Sequence, residues 1–397
     1  MKKNILFIES GQYGGGSFNA LLYVLKFINR DKYEPFVLYF NKSKYYKKTL
    51  NLNIKTFLFS DIVYSLDSNI IILKFLNYIN LFLSKKIPSI SIFFDKIIHY
   101  KTINYINNII KKNNIHLIHC NVQIARDLFI TFCALKNKIP IVNFIRSPKI
   151  DVMNDYKSNF INQYNNKIIA VSKSIKELWK EEGIKNSKFE VIYDGIDTTV
   201  LKRIDFYNEL NLKENNDYYF IGCVGRFVKG KGQMILINAF EKLINNNTKK
   251  FKLILLGDGP NMKSLQNYVE NNGLSNEIFF LGYKDNAIDY INSFDLLVLP
   301  SSIDVCSNVL LESLYCKTLT IALAKGGNAE IIFDNFNGYL YYKDNPSELK
   351  NIINKMILNK DSHAYFKKNG FKLINDNFLI KKNIKLVESI YDQFLLG

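Results

Sequence analysis

Along this chain apolar residues come in short unbroken runs, each closed by a polar or glycine-rich turn and followed by a stretch with helical spacing. Asn4–Ile8 reads as a strand, Glu9–Gly16 as a glycine-rich loop, and Ser17–Asn29 as a helix whose Leu21, Leu22, Leu25 and Ile28 share one face; Phe36–Phe40 is the next strand. Strand, loop, helix and parallel strand in this order pack as a right-handed crossover unit. Further short strands are expected at Leu117–Cys120, Ile141–Ile145 and Lys167–Val171. The alternation then repeats more clearly: strands at IGCVG, LILLG, IFFLG, LLVLP and Leu319–Leu323, with helices over Gln233–Leu243, Asn261–Glu270, Asn286–Ser293 and Asn308–Cys316. Continuous apolar strands separated by amphipathic helices predict parallel sheets covered on both faces.

Residues 62–110 interleave apolar residues with Lys and Asn, and Pro88 divides them. They read either as core-facing helices or as an amphipathic pair laid on a membrane. Ile380–Phe394 has helical spacing.

Composition narrows the picture. A chain of 397 residues with 48% hydrophobic content can build two ordinary cores. The formal charge of +17 would attract an anionic membrane surface, but the lysines are scattered, and abundant Asn, Lys, Ile, Tyr and Phe also fit an AT-rich coding bias; no nucleic-acid partner is expected. Cys120, Cys133, Cys223, Cys306 and Cys316 contain no CxxC and read as reduced packing residues. No apolar stretch reaches the roughly 18 residues of a membrane span, and the N-terminal run reads as a first strand, not a secretion signal. A cytoplasmic protein is expected, with the inner membrane face as a second reading.

The segment Pro300–Ile332 carries the most chemistry. It sets Asp304 and Glu312 eight positions apart across a loop-to-helix junction and follows them with a strand and Gly326-Gly327-Asn328-Ala329-Glu330. Amides at the helix start, from Cys306 and Ser307 through Asn308 and Val309, would meet a phosphate; Glu312, one turn in, can hold a vicinal diol such as a ribose, and Asp304 can reach a second ring. Gly225-Arg226-Phe227 and Lys231-Gly232 stand where a strand ends and a helix begins, so Arg226 and Lys231 would face a ligand at the sheet's C-terminal edge. Gly257 closes the next strand in an ordinary turn, and Tyr283 after Gly282 can stack on a base or simply end a strand. Glu330 is favoured at a helix start whatever its function. There is no Asp-x-Asp and no His/Cys/Asp cluster with metal spacing, so the site is expected to need neither metal nor cofactor.

These motifs resemble the retaining glycosyltransferases of family four. The resemblance implies the α/β GT-B architecture, two Rossmann-like doubly wound domains facing a central cleft: residues 1–198 for the acceptor, 199–379 for the nucleotide sugar, and a helix at 380–397 crossing back to the first domain. It implies that Arg226, Lys231 and Asp304 serve catalysis, and that Gly257, Tyr283, Cys306 to Val309, Glu312 and Glu330 hold the donor. It also places Gly15 and Gly16, of the Gly14-Gly15-Gly16 loop, near the diphosphate. The chain departs from the family pattern at Asp304 for Glu, Val305-Cys306 for Gly-Phe, Asp194 for Asn in VIYDGID, and Arg146 for a His. The implied reaction moves a hexose or N-acetylhexosamine from a UDP- or GDP-sugar to a surface-glycan or lipid-linked acceptor. A GT-B epimerase and a catalytically silent scaffold subunit are the rival readings. His119 is read as a structural histidine in preference to a cleft residue.

Overall fold

The computed structural model describes residues 2–10, 16–42, 44–59, 96–122, 124, 127–147, 153, 155–198, 200–213, 217–245 and 249–396. Among them the strands form two parallel sheets. The chain divides into two compact units, Met1–Asp194 with Ile380–Gly397, and Gly195–Leu379. Most of the segment 62–110, the Pro88 break included, and the Gly14-Gly15 turn lie outside the described residues.

In the first unit, β1 (Lys3–Glu9), β2 (Tyr33–Tyr39), β3 (Lys55–Leu58), β4 (Ile115–Cys120), β5 (Ile141–Ile145), β6 (Lys167–Ala170) and β7 (Phe189–Val191) lie in the order β3-β2-β1-β4-β5-β6-β7. The order reverses between β1 and β4, and a doubly wound sheet opens a ligand crevice at the C-terminal ends of such a pair. One core layer joins Leu6, Ile8, Leu38 and Ile118 of the sheet to Ile106, Ile110, Phe129 and Ile130 of the helices Tyr100–Lys112 and Phe129–Asn137. The helix Ile380–Leu395 belongs to this unit and buries Ile380, Ile384, Val387, Ile390 and Tyr391.

One expectation changes here, and the reading of His119 stands. The expected loop from Glu9 begins one residue late, because Glu9 ends β1 and is buried: Ser10 donates to its Oε1 through N (3.0 Å) and Oγ (3.2 Å), and Asn121 Nδ2 donates to its Oε2 (2.5 Å). A charge can close a buried strand when its oxygens are filled in this way. His119 is the structural histidine: it is buried between the Phe7 and Phe144 rings and hydrogen-bonded at Nδ1 to the Tyr391 hydroxyl. Burial first, and Arg146 second, hold its pKa well below the ordinary value.

In the second unit, β8 (Tyr218–Val224), β9 (Lys250–Leu256), β10 (Ile278–Gly282), β11 (Leu296–Leu299), β12 (Leu319–Leu323) and β13 (Tyr339–Tyr341) lie in the order β10-β9-β8-β11-β12-β13. The reversal falls between β8 and β11. Ile221, Leu253, Leu255, Val298 and Ile321 pack against Leu236, Ile237 and Phe240 of the helix Gln233–Ile244 and against Leu349 and Ile353 of the helix Pro346–Leu358. The crevice-forming strands are thus buried on their core face by fully enclosed aliphatic side chains, which fixes where their C-terminal loops emerge.

Candidate functional site

The loops that leave β8, β9, β11 and β12 are tied to one another at the C-terminal edge of the second sheet. Gly225 N donates to Leu256 O (2.9 Å), Phe227 N to Asp258 O (2.9 Å), Ser302 N to Gly230 O (2.9 Å) and Gly327 N to Asp304 O (3.0 Å). Gln233, buried at the start of its helix, donates from Nε2 to Arg226 O (2.9 Å). These bonds hold Arg226, Lys231 and Asp304 on one interlocked platform.

On that platform Lys231 Nζ donates to Asp304 Oδ1 at 2.5 Å, and both side chains are mostly enclosed. The second oxygen, Asp304 Oδ2, is buried and without a hydrogen-bond partner among the described residues, as are Asn308 Oδ1 and Asn328 Oδ1. Leaving such an acceptor unmet costs about 1–3 kcal/mol. Asp304 and Asn308 keep some surface, so their unmet acceptors suit a ligand rich in hydroxyl donors, whereas Asn328 is fully buried. Arg226 is exposed, and its guanidinium enters no ion pair or hydrogen bond among the described residues. Beside it Gly225 has φ +157° and a side-chain direction that meets nothing within 4 Å, so the strand end is open where a ligand would approach.

The helix Asn308–Tyr315 begins at Ser307, which is buried and whose side chain takes no capping hydrogen bond. Cys306, Asn308 and Val309 are partly enclosed around this start. One turn on, Glu312 keeps some accessible surface, yet enclosure without a hydrogen bond to offset it pushes its carboxyl up to about 7. Cys316, a further turn along, donates from Sγ to Ile288 O (3.7 Å), and burial pushes its thiol up to about 12.

Gly326 and Gly327 are fixed as glycines by the loop beside them. A Cβ on Gly327 would lie 1.8 Å from Val305 O, and one on Gly326 2.3 Å from Asp304 O. Their missing side chains are required by the adjoining loop, whatever ligand comes. Asn328, whose role the sequence reading missed, fastens the same junction: fully buried, it donates from Nδ2 to Ser301 O and Leu323 O, each at 3.0 Å. An Asn directly behind a Gly-Gly pair, where a better helix former would be expected, was the available signal. Glu330 is partly enclosed in the short helix Asn328–Ile331.

Gly257 borders this platform, since a Cβ there would lie 1.9 Å from Gly225 O. Gly257 N donates to Gly282 O (2.8 Å), joining the β9 and β10 ends, while Tyr283 is 57% exposed with its hydroxyl donating to Asp285 Oδ1 (3.1 Å). Gly16 begins the helix Gly16–Phe27 of the first unit, and Gly15 lies outside the described residues. Arg146 is not free: Asp194 and Asn121 hold it. Among the described residues no group of three or more His, Cys, Asp or Glu side chains is placed to hold a metal ion.

The family described as Glycosyl transferases group 1 matches residues 208–373, which contain this platform, and Glycosyltransferase Family 4 matches residues 78–200. An uncharacterized glycosyltransferase of Methanocaldococcus jannaschii is 34% identical over 295 residues, spanning 72% of this chain and 78% of the relative. This chain is a group 1 glycosyltransferase. Another relative of the transferase is the N-acetylgalactosamine-N,N'-diacetylbacillosaminyl-diphospho-undecaprenol 4-alpha-N-acetylgalactosaminyltransferase of Campylobacter jejuni, 26% identical over 219 residues, 53% of this chain and 58% of that one. Among solved structures, Anabaena HepE in complex with UDP superposes with a TM-score of 0.77 at 20% identity, covering 98% of this chain and 100% of that one. A glycosyltransferase from Rickettsia africae superposes with a TM-score of 0.79 at 19% identity, covering 99% of each. At these identities the superpositions establish the fold, the two-domain α/β GT-B architecture.

The Glu312 carboxyl gives the transferase a pH signature. Its pKa is raised on folding, so ionising it opposes the unliganded fold: stability declines as pH rises from the ordinary carboxylate range through about 7 and levels off above that. Vicinal hydroxyls donating to the Glu312 oxygens would favour the ionised form, so nucleotide affinity is expected to rise as pH approaches about 7. Calorimetric titration from pH 6 to 8 checks this, with Glu312→Gln expected to flatten both profiles; an affinity independent of pH would contradict it.

Proposed function

We propose that the transferase moves a hexose or N-acetylhexosamine from a UDP- or GDP-sugar to a surface-glycan or lipid-linked acceptor, retaining the α-configuration and needing no metal. The observation that carries this reading is the mixed platform of the second unit: the Lys231–Asp304 pair, the exposed Arg226 on the same loop as Lys231, the unmet acceptors Asp304 Oδ2 and Asn308 Oδ1, and Glu312 one turn into the helix that Asn308 begins. Cations match a diphosphate and acceptors match sugar and ribose hydroxyls. The UDP in the HepE complex and the lipid-linked acceptor in the Campylobacter relative's name favour the same donor and acceptor classes.

In this mechanism the bond between the anomeric carbon and the donor phosphate oxygen breaks as the acceptor hydroxyl oxygen bonds to the same face of that carbon. The hydroxyl proton passes to a donor phosphate oxygen. Arg226 and Lys231 carry the charge that grows on the departing diphosphate, the work that a metal ion would otherwise do. Gly225 leaves room for the diphosphate, Asp304 orients the sugar, and Glu312 holds the ribose. The basic character of the chain, +17 overall, would favour an acceptor presented at the inner face of an anionic membrane. Among the described residues no helix is long and apolar enough to cross a membrane.

A thermal-shift series with UDP, GDP, ADP and their sugars tests the donor class, since a ligand bound only by the folded state raises the melting point by mass action. UDP or GDP compounds should raise it with EDTA present. A shift confined to ADP compounds, or one abolished by EDTA, would overturn the donor or metal assignment, and interconversion of the sugar nucleotide in place of transfer would favour an epimerase.

A further inference from the structure

Two positions that depart from the family pattern meet each other in the first unit. Arg146, just past the end of β5, donates from Nη2 to Asp194 Oδ1 at 2.9 Å and from Nε to Asp194 Oδ2 at 3.5 Å, and both side chains are about nine-tenths enclosed. Nη1 of the same guanidinium donates to Asn121 Oδ1, and its carbon lies 4.5 Å over the Phe144 ring. Asn121 in turn donates to Glu9 at the end of β1. The chain of contacts therefore runs from the β1/β4 switch point, where a doubly wound sheet would receive its ligand, to Asp194, the last residue of this stretch of the unit. Asn383 of the C-terminal helix holds the neighbouring residue, its Nδ2 donating to Tyr193 O at 2.9 Å.

We propose that Arg146 and Asp194 form one coupled positioning pair that fastens the departing segment Ile192–Asp194 to the ligand-bearing edge of the first sheet. Arg146 then does not touch the acceptor. Its charge is taken up by Asp194, and its planar fork, which a lysine lacks, serves Asp194 and Asn121 at once. Along the sequence Arg146 for His and Asp194 for Asn are separate departures; in the structure they compensate, because either charge alone would be enclosed without its ion-pair partner. Through Asn121 the pair also fixes the orientation of Glu9, so a disturbance at residue 194 would reach the switch point.

The test is a double-mutant cycle on the full chain, with Arg146→His, Asp194→Asn and the double variant, read by amide hydrogen exchange over residues 190–197. Each single change should speed exchange there at least about tenfold, and the double variant should return to within about threefold of the parent. Single effects that multiply in the double variant would overturn the pairing. Arg146→Lys keeps the charge and loses the fork, and should exchange faster than the parent while melting close to it; parent-like exchange would overturn the role given to the fork. This reading rests on geometry inside the first unit and needs no sugar nucleotide, so the failure of the donor assignment would leave the cycle unaffected. A second readout separates positioning from bulk stability: the affinity for UDP, a property of the other unit, should stay within about twofold in every variant, and turnover of the accepted donor should fall in the singles and recover in the double. Weakened UDP binding, or singles that turn over like the parent, would overturn the positioning role.

Discussion

Replacing Lys231 by alanine is expected to lower turnover at least about a hundredfold, the usual cost of deleting a positioned charge donor from a transition state. Lys231 is held at 2.5 Å on Asp304, on a loop hydrogen-bonded to the loops that leave β9 and β11, so its ammonium is positioned before any ligand arrives. In the proposed reaction the diphosphate draws this ammonium from Asp304, whose freed oxygens then accept sugar hydroxyls. Loss of Lys231 should therefore depress kcat more than nucleotide affinity, because the charge it meets is greatest as the glycosidic bond breaks. Lys231→Arg should recover part of the rate, and Asp304→Asn should spare nucleotide binding while weakening the preference between donor sugars. Nucleotide release from the donor found by the thermal-shift series measures all three. Rates for Lys231→Ala within about threefold of the parent would remove Lys231 from the mechanism.

The largest expected effect on folding comes from ending the chain at Leu379. The helix Ile380–Leu395 buries Ile380, Ile384, Val387, Ile390 and Tyr391 in the first unit. At roughly 1.5–3 kcal/mol per enclosed side chain, and allowing for a denatured chain that is not fully extended, their loss is on the order of 10 kcal/mol. That is comparable with the whole stability of an ordinary domain, about 5–15 kcal/mol. Polar ties would go with them: Tyr33 and Lys32 both contact Asp392, Asn29 N donates to Glu388 Oε1 at 2.6 Å, and Tyr391 is the partner of buried His119. The truncated chain should be insoluble or lose the cooperative unfolding of its first unit, as followed by circular dichroism and calorimetry. Tyr391→Phe isolates one contact: it should cost about 1–3 kcal/mol by leaving an enclosed imidazole nitrogen unmet. A truncated protein that melts within a few degrees of the parent would contradict the role of this helix.

The sheets were legible because parallel strands enclosed on both faces leave unbroken apolar runs, as at Leu253–Leu256 and Leu296–Leu299. The three-residue strands Phe189–Val191 and Tyr339–Tyr341 escaped, since a run that short has no period to read. Motif spacing singles out Arg226, Lys231, Asp304 and Glu312 as candidates, and the structure joins two of them, Lys231 and Asp304, 73 residues apart. What spacing did not reveal was which atoms are consumed by the fold itself. Gly326 and Gly327 are spent on the backbone of the neighbouring loop, Asn328 on two carbonyls, and Arg146 on Asp194, 48 residues away. Glu9 reads as the start of a loop because a carboxylate at a strand end looks solvated until its partners, Ser10 and Asn121, are known.

A crystal structure of the transferase soaked with its accepted nucleotide diphosphate sugar is the most direct measurement of the central claim. Lys231 should lie off Asp304 and within hydrogen-bond distance of the diphosphate, with Arg226 on the same group and the Glu312 carboxylate against the ribose hydroxyls. A nucleotide seated away from the β8 and β11 strand ends, with Lys231 still paired to Asp304, would contradict it.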